Sequence, residues 1–246
     1  MLFSLRSVLL ILALMFWRQP TASFAQTDTP KVTRQTIAQL RAKLTSGKPC
    51  DLNAIAAVTS QMLQTKTEVK QYLLMIGTAS EPLDSSIPYI RPIHILDLLG
   101  GLLDYGDNAA RKGNWPEAKK AFGMVVDICI RLSRIPIPPK EAGFTSPQEP
   151  GLEGVLCVLG PIGTMQVTLS KRLSATPFPS KTGQQRVMAV LDQMRAVIVK
   201  TSTVKKRKQL DFFVAKDRTA ILKLDMQALS TEKKLLPKLR AELSRL

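Results

Sequence analysis

The sequence predicts an all-α fold built from antiparallel helical hairpins, and three observations carry that prediction. Apolar side chains recur three and four residues apart through most of the chain, the 3.6-residue period of a half-buried helix. Two long periodic segments are separated only by Gly113 and Asn114, a link that forces the helices it joins to run antiparallel. Residues suited to helix ends, Asp51 before one run and Gly47 after another, stand where the periodicity starts and stops.

Residues 1–25 read as a secretory signal peptide. Arg6 supplies the charged start, residues 8–17 are ten uncharged side chains, and the small Ser23 and Ala25 place a cut before Gln26. The apolar run falls short of the about 20 residues that cross a bilayer. The mature chain is therefore expected in the periplasm or secreted, with no transmembrane span after cleavage.

Residues 26–135 form a helical domain. Pro30, Ile37, Leu40, Leu44 and Gly47 predict a helix over 31–46. Asp51 caps a longer one, whose stripe runs through Ile55, Val58, Met62, Val69, Leu73 and Ile76. A polar loop over 77–88 precedes the two hairpin helices, 93–112 and 115–134.

Within that hairpin, Leu102, Tyr105, Gly106, Ala109, Gly113, Trp115, Ala118 and Phe122 form a pattern that resembles a tetratricopeptide repeat over residues 99–132. Gly113-Asn114-Trp115-Pro116-Glu117-Ala118 resembles that family's turn into its second helix. The resemblance implies that Gly106 and Ala118 are small where two helices cross, with Trp115 and Phe122 filling the space beside them. Three positions depart from the pattern. Ala109 replaces an aromatic, Val125 replaces a small residue, and the closing proline is delayed to Pro136; no second copy follows at a period near 34.

Residues 136–183 read as a Pro-rich connection with an apolar segment. Five prolines in 135–151 exclude a helix there. The apolar stretch 152–173, divided by Gly160 and Pro161, fits short helices or short buried strands, and Pro177 and Pro179 break the chain again. Residues 184–246 form a basic helical segment. Val187, Val190, Leu191, Met194 and Val197 define a helix over 184–201, and one or two more are expected over 204–246, cut or kinked at Pro237. Leu210, Phe212 and Val214, then Ala220, Leu222 and Leu224, also alternate as strands over 210–225 would, but no Gly, Asn or Pro lies between Lys216 and Arg218 to turn a hairpin.

The inventory for chemistry is thin. His94 is the only histidine, so any triad or imidazole metal site must use it, and Asp97 is its nearest carboxylate partner in the same helix. Asp104 with Asp107, and Glu81 with Asp84, are spaced as acid and base pairs for glycan cleavage, yet no glycosidase, phosphate-loop or nucleophile-elbow motif surrounds them. No catalytic residue is assigned, and no cofactor or metal is expected. Of the three cysteines, Cys129 shares a helical face with Phe122 and Val125 and reads as a core thiol, leaving Cys50 and Cys157 as a disulfide pair in an oxidising compartment.

Charge is uneven. The chain carries 35 Lys and Arg against 19 Asp and Glu. Residues 181–246 hold 16 of the former and six of the latter. Lys205, Lys206, Arg207 and Lys208 stand together as a candidate contact for an anionic lipid or wall polymer, since four adjacent cations cannot all enter a core. Export argues against nucleic acid as a partner. The sequence thus points to an exported scaffold or adaptor that binds another protein, the alternatives being a carboxylate-dependent envelope glycan hydrolase or a binder of anionic envelope surfaces.

Overall fold

A computed structural model describes residues 34–62, 92–134, 151–176, 178–212 and 214–246. Among these residues the fold is all-α, with seven helices and no strand. They are α1 (Arg34–Thr45), α2 (Leu52–Met62), α3 (Pro92–Arg111), α4 (Trp115–Ser133), α5 (Gly151–Ala175), α6 (Lys181–Arg207) and α7 (Ala215–Ser244). The signal-peptide segment 1–25, the loop 77–88, Glu81, Asp84 and the Pro-rich stretch 135–150 lie outside the described residues.

Local chemistry sets the helix ends. Asp51 Oδ1 accepts from the backbone N–H groups of Asn53 (2.9 Å) and Ala54 (3.3 Å), so it caps α2 as the sequence suggests. Asn114 accepts from Glu117 N at the start of α4, and Gly113 takes φ +76° to reverse the chain between α3 and α4. Ser180 caps α6 by accepting from Gly183 N at 3.1 Å. That cap starts the helix at Lys181, three residues before the start at 184 that the sequence predicts.

The helices pack as successive antiparallel pairs. α3 lies against α4 and also meets α1 and α5, while α4 meets α2, α5 and α7. α6 and α7 pair with each other, and α5 packs on both. One apolar core runs through the whole set from Leu40 to Leu243. At the α3/α4 crossing, Ala118 and Phe122 are fully buried, and a Cβ placed on Gly106 would come within 2.6 Å of the Phe122 ring. Trp115 is half-buried, its ring 4.9 Å from that of Phe178.

One expectation is corrected and one alternative drops out. The stretch 152–173 is neither strand nor split helix: α5 runs unbroken with Pro161 inside it. Leu152, Val155, Val158, Ile162, Met165, Leu169 and Leu173 form one buried stripe, each worth roughly 1.5–3 kcal/mol, which together outweigh the about 3 kcal/mol cost of an internal proline. Residues 210–225 likewise form no strands. Leu210 and Phe212 belong to the link between α6 and α7, and α7 continues without a break through Pro237, whose side chain is exposed.

The close crossing sets a testable cost. Ala118→Leu overpacks a fully enclosed site and should destabilise the protein by roughly 1–3 kcal/mol in denaturant titration. Gly106→Ala should also destabilise, although alanine favours helices, because the fully buried Phe122 ring would have to shift to admit the methyl group. A gain in stability from Gly106→Ala would refute the crossing.

Candidate functional site

The carboxylate pair on α3 meets α5. Arg172 Nη1 donates to Asp107 Oδ2 at 3.1 Å, and its Nη2 contacts Asp104 Oδ1. Arg111 Nε donates to the same Asp107 oxygen at 3.0 Å, and the Thr176 hydroxyl donates to Asp107 Oδ1 at 2.7 Å. Burial would raise the Asp107 pKa, but the hydrogen bonds from Thr176 and Arg111 and the charges of Arg111 and Arg172 outweigh it and hold the group below the usual carboxylate range. A carboxylate held by three donors and kept ionised is a weak base and has no proton to give as an acid. It joins two helices instead.

The other candidates are also held by structural contacts. Asp97 accepts from Arg41 Nη1 at 2.7 Å, linking α3 to α1; the side chain of His94 lies outside the described residues. The Tyr105 hydroxyl accepts from Cys50 N (3.2 Å) and donates to Glu117 Oε1 (3.0 Å), tying the turn after α1 to the start of α4. Burial pushes the Cys50 thiol up, which is the reverse of an activated nucleophile. Cys129 is fully buried, as its helical face predicts. No disulfide is seen among the described residues: Cys50 and Cys129 are free thiols, and the Cys157 side chain is not among those described. Nor do three His, Cys, Asp or Glu converge there to hold a metal ion.

The basic run is divided by the fold. Lys205 Nζ donates to both carboxylate oxygens of buried Asp225 on α7, at 2.6 and 2.7 Å. Arg207 and Lys208 are exposed at the C-terminal end of α6, where cations are favoured by the helix dipole. Only part of the run therefore faces solvent.

Two groups escaped the sequence reading. Glu232 on α7 is 0% exposed and Gln166 on α5 is 2% exposed, and although the two lie near one another, neither the carboxylate oxygens nor the amide atoms complete a hydrogen bond of good geometry. Burial pushes the Glu232 pKa up to about 7, with the nearby Gln166 amide lowering it somewhat. The negative charge of Glu232 also adds to the burial that raises the Cys129 thiol. The available signal was positional: Glu232 continues the stripe of Ala228, Leu229, Leu236 and Leu239, and Gln166 stands between Met165 and Leu169.

Arg240 Nε donates to both oxygens of Asp127 at 3.0 Å, and Arg186 Nε donates to Glu242 Oε2 at 2.9 Å. These pairs bind α7 to α4 and to α6. Among the described residues no helix is long and apolar enough to cross a membrane. Comparison with known proteins finds no match to a family model, to a curated protein or to a solved structure.

The buried acids generate two expectations. Between pH 4.5 and about 7, folded Glu232 keeps a proton that the unfolded chain has released, so stability falls as pH rises, by up to about 3 kcal/mol. Glu232→Gln should flatten that slope and leave stability at pH 4 nearly unchanged, as followed by thermal melts across pH. Lys205→Gln strands Asp225 and should cost roughly 3 kcal/mol, the low end for breaking a buried pair because Lys205 keeps 25% of its side chain exposed. Lys208→Gln should cost almost nothing.

Proposed function

We propose that the protein is an exported, non-catalytic helical scaffold that binds a protein partner, with the hairpin of residues 99–132 serving as a tetratricopeptide-like unit in a short stack. The observation that carries this reading is the state of the carboxylate pair. Asp107, the residue a hydrolase would need free, is enclosed by Arg172, Arg111 and Thr176. The two raised carboxylates, Asp225 and Glu232, are buried away from any substrate.

The order of packing supports the same reading. α1 packs on α3, α2 touches α4 and α3 meets α5, contacts of the kind that neighbouring helices make in a repeat array. Such arrays bind partners along an extended surface, not in a catalytic cleft. Export rests on Arg6, the apolar run after it, and Ser23 and Ala25.

Affinity purification from an envelope fraction should recover the chain beginning at Gln26 with one defined protein in near-equal amount. Purified protein should leave peptidoglycan intact, and Asp107→Asn should lower the melting temperature. Glycan turnover abolished by Asp104→Asn or Asp107→Asn, with the melting temperature unchanged, would replace the scaffold with the hydrolase.

A further inference from the structure

We infer that the outward face of α7 is a docking ridge for an anionic lipid bilayer. Lys216, Lys223, Lys234 and Lys238 are all exposed. At 3.6 residues per turn their positions fall within about 60° of arc, in a line about 33 Å long at 1.5 Å per residue. None of the four makes an ion pair among the described residues. The other exposed side chains of α7 in that sector, Gln227 and Ala241, are uncharged.

The acids of α7 have been drawn off this face. Asp225 and Glu232 lie on the opposite, buried side, Glu242 is paired with Arg186 and Arg245, and Asp217 accepts from the backbone of Asp211. Such segregation has a cost. Lys234 and Lys238 are like charges one turn apart, a pairing that weakens a helix, and solvated helix faces ordinarily mix both signs. The outward positions of α6, by contrast, mix Lys181 and Arg195 with Asp192.

A bilayer fits this ridge better than other polyanions do. A row of lysines on a convex helix touches a plane along its whole length, whereas a thread-like polymer needs walls to hold it. Lysine acts as a point charge suited to diffuse headgroup charge, and the ridge has neither the arginine forks nor the aromatic platforms by which nucleic acid is gripped. The apolar side of α7 is committed to the core, so attachment is peripheral and reversible by salt. Met226, 44% exposed beside the row, is the one large apolar group of α7 available to the headgroup region. This inference goes beyond the scaffold reading and does not rest on it.

The test is vesicle co-sedimentation of the full mature chain with phosphatidylglycerol and phosphatidylcholine liposomes at low and at physiological salt. Wild type should bind only the acidic vesicles, and less as salt rises. Each lysine changed to glutamine should weaken binding about fivefold, and the quadruple change Lys216→Gln, Lys223→Gln, Lys234→Gln, Lys238→Gln several hundredfold, with the melting temperature unchanged. Arg207→Gln with Lys208→Gln should have little effect. Equal sedimentation with both vesicle types, or undiminished binding by the quadruple variant, would overturn the ridge. Equal affinity for soluble polyphosphate would overturn the bilayer as its occupant.

Discussion

The rest of the structure hangs on the close approach of α3 and α4 at Gly106. A glycine there lets the Phe122 ring occupy the space a methyl group would take, so the two helices interlock. Every other described helix except α6 touches one or both of them: α1 and α5 on α3, and α2, α5 and α7 on α4. Tyr105, next to that glycine, extends the same junction outward by holding both the Cys50 backbone and Glu117.

Around this apolar joint, ionic contacts determine how the later helices attach. Arg172 binds α5 to α3 through two carboxylates, Arg240 binds α7 to α4, and Arg186 and Lys205 bind the two ends of α6 to α7. Most of these pairs are partly solvated and are worth little individually. The Lys205 contact differs because Asp225 is buried with Lys205 as its ionic partner, whereas buried Asp107 also has Arg111 and Thr176, so loss of Lys205 leaves a charge without water. Pairing uses a cation for each carboxylate and leaves the basic surplus of the last quarter of the chain unchanged, but it decides which lysines stay unpaired at the surface.

That redistribution links structure to the functional reading. Carboxylates tied to arginines suit a protein that holds a shape and not one that moves protons. Lysines gathered on one side of α7 suit attachment to a broad negative surface, while the scaffold proposal assigns the helices before α6 to a protein partner. Glu232 stands apart from both, a titrating group in the core whose ionisation opposes folding near neutral pH.

The sequence by itself determined the helical class, the hairpin at Gly113 and Asn114, the Asp51 cap and the buried face of Cys129. These rest on local spacing, and a helix records its inward face every three or four residues. Two things were decided only by tertiary structure. Pro161 reads as a break, but burial of the surrounding stripe against α3, α4, α6 and α7 exceeds what one missing backbone hydrogen bond costs. The stretch 210–225 reads two ways because Leu210, Phe212 and Val214, then Ala220, Leu222 and Leu224, alternate, and the burial of α7 through Ile221, Asp225, Ala228 and Leu229 selects the helix. Which of the many lysines pair, and which stand together in water, likewise depends on contacts between residues far apart in the chain, and no local period encodes them.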